Sequence, residues 1–473
     1  MGSFLNDRST GWETDPGFTA ELDIARRYAT QGPRYTSYPT APQFNTAFCQ
    51  PGQDWLAAEP TQSAAPLSLY VHLPFCSDIC YYCGCNKIVT RKAGAARHYL
   101  DHLAKEIAAT AQKVGPRRPV TQMHWGGGTP NYLDGAEITE LMHLLASQFR
   151  LLDKGYREYS IEIDPRTIDI STIPLLKGIG FNRISLGIQD FDPLVQKSIN
   201  RVQPFTTVEP LVDTIRAHGF RSLSFDLIYG LPHQDRQSMS NTVDKVIQLR
   251  PDRIACYNYA HLPDRFASQR SIDRHTLPEP EEKLLMQLSI SHQLQDAGYV
   301  FIGMDHYVLP EDELATAQRE GRLQRNFQGY SMHLADDLVG LGVSAITQVG
   351  NMYPQNVRDL DDYYARIDAG DITVDRGVRL TREDQLRRHV IMSLICEMHL
   401  DTVECDSLFG IDFNVHFSQE LTALKALEAD GLLTLSDTEI RVLERGRPFL
   451  RNICMPFDAY LGEQHNQRYS ATV

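Results

Sequence analysis

Between residues 67 and 259, six short β-rich runs each end in polar or glycine residues and give way to a segment of helical period. The runs are Leu67 to Leu73, Gln122 to Trp125, Tyr159 to Ile163, Arg183 to Ile188, Ser222 to Ile228 and Arg253 to Tyr259. Between them, apolar residues recur at helical spacing: Leu100, Leu103, Ile107, Ala111 and Val114, then Ile138, Leu141, Met142, Leu145 and Phe149, then Met239, Val243, Val246 and Ile247. This alternation predicts an α/β fold built on a parallel sheet. Six βα units make either an open doubly wound sheet or a partial (β/α)6, TIM-like barrel, and in both the loops after the strand C-termini carry the chemistry.

The flanks read differently. Residues 1–60 are rich in Thr, Pro, Gly and Gln around one polar–aromatic block, Gly32-Pro33-Arg34-Tyr35-Thr36-Ser37-Tyr38-Pro39-Thr40, and are expected to form an irregular N-terminal arm. Residues 61–310 hold the barrel, and 311–378 form a connecting segment that completes the active site. Residues 379–473 are mostly helical and end in a hairpin pattern between Gly431 and Leu443, which predicts a winged-helix-like C-terminal domain. No stretch reaches the roughly 18 apolar residues of a membrane span. The first residues, Met1 to Asn6, lack the basic region and apolar core of a secretory signal, so the expected location is cytoplasmic.

Lys plus Arg number 46 against 60 Asp plus Glu, a net charge of −14. That balance offers no broad attraction to nucleic acid or anionic lipid, and the C-terminal domain lacks the basic run that DNA binding requires. An anionic substrate must therefore meet a local basic pocket.

Nine cysteines are present, and Cys76, Cys80, Cys83 and Cys85 fall within ten residues, immediately after the first strand. Without an export signal, such clustering argues for reduced thiols that bind metal rather than for disulfides. The C-x3-C-x2-C spacing lets Cys76, Cys80 and Cys83 each hold one iron of a four-iron cluster, which leaves the fourth iron open. Four-cysteine zinc, an electron-transfer cluster completed by Cys85, and inert thiols are the competing readings. Zinc sites draw on two separated ligand pairs, and no second C-x2-C or H-x3-H pair occurs in the sequence. Cys49, Cys256, Cys396, Cys405 and Cys454 are expected to be packing residues. One βα unit later comes Trp125-Gly126-Gly127-Gly128-Thr129-Pro130, whose glycines allow close backbone approach to a ligand but which lacks the Lys-Ser/Thr of a phosphate loop.

The cysteine loop and glycine motif together resemble the radical S-adenosylmethionine superfamily. Further blocks resemble the oxygen-independent coproporphyrinogen III oxidases: Gly84-Cys85-Asn86-Lys87, Arg34 to Thr40, Phe301 to His306, Arg325 to Tyr330 and Arg451 to Met455. The resemblance implies a 4Fe-4S cluster that reductively cleaves S-adenosylmethionine to a 5′-deoxyadenosyl radical. It also implies anaerobic oxidative decarboxylation of two propionates of coproporphyrinogen III to vinyl groups, giving protoporphyrinogen IX for haem biosynthesis. Two S-adenosylmethionine molecules are expected. Tyr70, Gly127, Glu162 and Ile346 match contacts to the cluster-bound molecule, while Tyr82, Gly128, Thr129, Gln189, Arg201, Asp226 and Ala260 match contacts to the second.

Tyr70 is also expected at the catalytic centre together with Arg34, the leading choice for a propionate contact, with Arg325 second. The implied partners are an electron donor such as a flavodoxin or ferredoxin and an unidentified electron acceptor, with no nucleic acid and a monomeric state. Read without the family, Glu162, Gln189, Asp226 and Ala260 each end an expected strand, where a barrel presents its site. The alternative functions are a haem chaperone of the same superfamily, and an iron–sulfur-sensing regulator with a DNA-binding C-terminal domain. Cys85 and the Arg34 to Thr40 block argue against the chaperone.

Overall fold

A computed structural model describes residues 16–48, residues 65–461 apart from 93, 116, 155 and 333–336, and Thr472. Cys49 and the start of the arm lie outside the described residues.

The strands β1 (Leu67–Leu73), β2 (Pro119–Gly127), β3 (Glu158–Ile163), β4 (Arg183–Gln189), β5 (Ser222–Tyr229) and β6 (Arg253–Asn258) lie side by side in chain order, every pair parallel. A doubly wound sheet reverses its strand order at a switch point, and this one does not, so the fold is a partial barrel. Its outer layer is formed by helices α1 (Ala95–Val114), α2 (Gly135–Gln148) and α3 (Arg236–Leu249), among others. The apolar stripe read from the sequence faces inward on each. Leu100, Leu103 and Ile107 of α1 are at most 1% exposed, as are Ile138 and Leu141 of α2 and Met239 and Val243 of α3.

The sheet extends at both edges. Past β6 comes an antiparallel hairpin of β7 (Val300–Gly303) and β8 (His306–Val308), and past β1 lies β9 (Asp337–Leu341), parallel to it. The connecting segment thus supplies a strand of the barrel sheet. Five residues with no helical period beside them give β9 no signature as a βα unit.

The arm also departs from its irregular reading. Pro16–Tyr28 is a helix whose Phe18, Leu22 and Ala25, spaced four and three apart, are buried against Leu284 and Leu288. Its Pro- and Gly-rich surroundings mask this short period. The block that follows is fastened to the C-terminal region. Tyr35 and Tyr38 are fully buried, Tyr35 Oη donates to Asp458 at 3.1 Å, and Ala459 N donates to Tyr38 Oη at 3.1 Å. Arg451, in another block matched to the family, donates to the carbonyls of Pro33 (3.1 Å) and Gly32.

The C-terminal region packs helices Arg382–Glu397, Thr402–Phe409 and Ser418–Ala429 on a small sheet ordered His399–Asp401, Glu439–Val442, Leu433–Leu435. The last two strands form the expected hairpin. Among the described residues no helix is long and apolar enough to cross a membrane.

A buried carboxylate joins α1 to the segment after β9. Glu106 accepts from Gly342 N (2.7 Å), Asn356 Nδ2 (2.6 Å) and Tyr363 Oη (2.6 Å), and burial raises its pKa despite these donors. Removing it strands every partner in a dry interior. Glu106→Ala is expected to cost about 3 kcal/mol or more, read as a lowered urea midpoint with new proteolysis between residues 337 and 360. An unchanged midpoint would mean that the partners find other acceptors.

Candidate active site

The peptide from Pro74 to Val89 begins at the C-terminal end of β1 and is stitched to the glycine motif at the end of β2. Gly128 N donates to Leu73 O and Thr129 N to Phe75 O, both at 2.8 Å, while Ile88 N returns to Pro74 O at 2.7 Å. These contacts leave no room for side chains on the glycines. A Cβ on Gly128 would lie 2.5 Å from Pro74 O, and one on Gly127, whose φ is +113°, would lie 2.6 Å from the His72 ring.

Around this seam lies a cavity of about 450 Å³ running down the barrel axis. Its upper wall carries Cys76, Cys80 and Cys83. Thr129 Oγ1 donates to Cys76 Sγ at 3.3 Å, and Arg166 and Arg201 donate to Cys80 Sγ at 3.4 and 3.5 Å. Both arginines also pair with Asp164, at 2.6 and 3.1 Å. Hydrogen bonds of this kind to sulfur tune a cluster's potential. Burial pushes the Cys76 thiol up to about 11, whereas a hydrogen bond from Cys85, and then Lys87, bring Cys83 down to about 6.

Among the described residues no three His, Cys, Asp or Glu side chains converge on a point as ligands of a single ion do. Three thiols on one cavity wall, with Thr129, Arg166 and Arg201 donating to two of the sulfurs, form a donor set that suits a four-iron cluster.

Inward-facing residues on alternate strand positions line the shaft below. Glu162 of β3 accepts from His124 Nε2 (3.0 Å) and Gly127 N (3.4 Å). Burial alone would raise its pKa, but His124, Gly127 and His72 bring it below the usual value. Asp226 of β5 accepts from Ser185 Oγ at 3.2 Å, and burial reinforced by the Glu162 charge pushes it up to about 7. An ion network at the strand starts closes the far end, with Arg183 on Glu158 (2.7 Å) and Arg253 on Asp312 (2.9 Å).

The Radical SAM superfamily profile matches residues 70–246, and the HemN C-terminal domain profile matches 380–449. Oxygen-independent coproporphyrinogen III oxidase of Pseudomonas aeruginosa is 47% identical over 96% of this chain and 98% of its own length. The Escherichia coli enzyme of that name is 46% identical with the same coverage. The chain belongs to the oxygen-independent coproporphyrinogen III oxidase family. The solved structure of E. coli coproporphyrinogen III oxidase (HemN), described as a Radical SAM enzyme, superposes with a TM-score of 0.86 at 46% identity, covering 90% of this chain and 97% of that one.

In this family member, Tyr82, Gly127, Gly128, Thr129, Glu162, Gln189, Arg201 and Asp226 line the cavity with the three cysteines. The other expected site residues do not. Tyr70 lies in the middle of β1, donating to His72 Nδ1 (3.1 Å) and stacked on His124 with centroids 6.0 Å apart. Ile346 packs beside Phe44, Tyr353 and Leu380, outside the cavity wall. Ala260 falls two residues past β6 instead of ending it, and Asp226 lies three residues inside β5.

Arg34 reaches the barrel mouth, donating to Asn258 O at 2.9 Å and lying 5.2 Å over the Tyr257 ring. The sequence reading assigned no role to His124, Asp164, Arg166, Tyr257 or His306. Polar residues at alternate positions of apolar strands, as at 122 and 124 or 160 and 162, were the available signal.

The Asp226 carboxyl gives this site a pH signature. Unfolded, it ionises near its ordinary 3.8, so across roughly pH 4 to 7 the folded chain holds a proton that the unfolded chain has lost. Stability therefore declines as pH rises through that window. Without added S-adenosylmethionine, Asp226→Asn is expected to raise the thermal midpoint at pH 8 and leave it unchanged near pH 4, and equal shifts at both would refute the assignment.

Proposed function

We infer that this chain catalyses the anaerobic oxidative decarboxylation of two propionates of coproporphyrinogen III to vinyl groups, yielding protoporphyrinogen IX. The observation that carries the reading is the cysteine loop stitched to the glycine motif at the mouth of a barrel cavity. Near-full-length identity to relatives named for this reaction supports the substrate.

Cys76, Cys80 and Cys83 would hold the 4Fe-4S cluster. When bound, the cluster and S-adenosylmethionine supply a 5′-deoxyadenosyl radical as hydrogen-atom acceptor. Each propionate gives up one hydrogen atom, one carbon dioxide and one electron, and the electron leaves to a separate acceptor. No nucleophile or proton relay is required, so the protein's contribution is orientation and exclusion of water.

Tyr70, Gly127, Glu162 and Ile346 are assigned to the cluster-bound S-adenosylmethionine, the hydroxyl of Tyr70 acting through His72. Tyr82, Gly128, Thr129, Gln189, Arg201, Asp226 and Ala260 are assigned to a second molecule. The carboxyl of Asp226 and the amide of Gln189, whose Oε1 is buried without a partner, suit a cationic ligand with free N–H groups. Arg34 is assigned to the substrate at the mouth. The working unit is a cytoplasmic monomer that receives electrons from a flavodoxin or ferredoxin. Residues 61–310 with β9 form the catalytic unit, the arm and residues 311–378 complete its site, and residues 379–473 brace the arm.

Reduced, cluster-loaded protein incubated under argon with S-adenosylmethionine and coproporphyrinogen III is expected to form protoporphyrinogen IX. A haem chaperone would form none. Cys76→Ser, Cys80→Ser and Cys83→Ser should each abolish the cluster, whereas Cys85→Ser should keep its iron content and brown colour. Loss of iron in Cys85→Ser would remove the open coordination position on which the reading depends.

A further inference from the structure

Beside the cavity, the hairpin Gln324–Asn326/Gly329–Ser331 places Arg325 directly across from Tyr330, its guanidinium 4.6 Å over the ring. Arg325 is 9% exposed, and its Nε and Nη1 are buried without a hydrogen-bond partner among the described residues. Arg183, Arg201 and Arg253 likewise leave one buried N–H unbonded, yet each has a carboxylate, Glu158 at 2.7 Å, Asp164 at 3.1 Å and Asp312 at 2.9 Å. Among the described residues Arg325 has no carboxylate within ion-pair distance. A buried cation without a counter-ion is costly, and its open donors, one on each edge of the guanidinium, leave it able to receive a carboxylate.

The rings that flank it on the cavity side carry no carboxylate. His306 and Tyr330 line the cavity, their rings edge-on at 5.2 Å. His306 donates Nδ1–H to Met304 O at 2.9 Å, and burial and the Arg325 charge push its pKa down to about 4, so it is neutral at pH 7. Arg34, at the mouth, donates to Asn258 O and lies 3.9 Å from Asp305.

We propose that Arg325 is a specificity-determining anchor that binds a propionate of the substrate, and that this propionate is one the reaction leaves intact. The assignment rests on the function inferred above. A carboxylate that departs as carbon dioxide loses its charge on the way, so a cation paired with it would favour the reactant and slow the step. A retained carboxylate keeps its partner from substrate through product, which is uniform binding and bears on KM rather than kcat.

The test compares wild type, Arg325→Gln and Arg325→Lys as cluster-loaded enzymes under argon. Iron content and dithionite-driven methionine release from S-adenosylmethionine alone should be equal in all three. For coproporphyrinogen III, Arg325→Gln should raise KM about tenfold or more with kcat within about twofold, and Arg325→Lys should fall between. Fluorescence titration with coproporphyrin III should show the same order of affinities, and this readout stands even if Arg325→Gln turns over too slowly to assay. Active wild type with unchanged KM and affinity in both variants would overturn the anchor alone, as would a fall in kcat at constant KM. Wild type that makes no protoporphyrinogen would instead overturn the inferred function.

Discussion

The hydrogen bonds from Gly128 N to Leu73 O and from Thr129 N to Phe75 O hold the whole site together. They continue the β1–β2 pairing beyond the ends of both strands, so the cysteine loop leaves the sheet in one direction only. That direction sets the thiols over the shaft and turns Thr129 toward Cys76. Everything below follows from strand alternation, which points every second residue of β2 to β6 into the same space.

The shaft is graded in charge. At the mouth, Arg166 and Arg201 share Asp164 and face the thiol of Cys80. Halfway down, Glu162 and Asp226 place two carboxyls in one cavity, and the hydrogen bonds to Glu162 from His124 and Gly127 settle which of them ionises more readily. At the closed end, paired ions fill the barrel where side chains of branched apolar residues commonly pack. A polar interior of this kind suits an elongated, charged cosubstrate more than an apolar one.

Local signals carried well from sequence to structure. β1 runs from Leu67 to Leu73 as read, and the other five strands shift by at most three residues at either end, because period-two burial and flanking glycines are written in neighbouring residues. The cysteine and glycine motifs were legible for the same reason. What sequence reading missed depends on depth and distant packing. Tyr70 and Asp226 are inside their strands, and only the barrel's curvature tells which end of a strand faces the site. Ile346 was matched to the cofactor, yet its side chain joins Phe44 and Tyr353, a contact no local pattern records. The helix Pro16–Tyr28 was hidden because its four buried positions find their partners, among them α-helical Leu284 and Leu288, more than two hundred residues away.

Tyr35 and its acceptor Asp458 are 423 positions apart in the chain. Closing so long a loop is entropically expensive and slow relative to forming the barrel's neighbouring strand pairs. The block that carries Arg34 to Tyr257 is therefore fastened on its other side by residues 451–460. The arm's anchor is thus available only once synthesis has passed residue 458, long after the arm itself has been made.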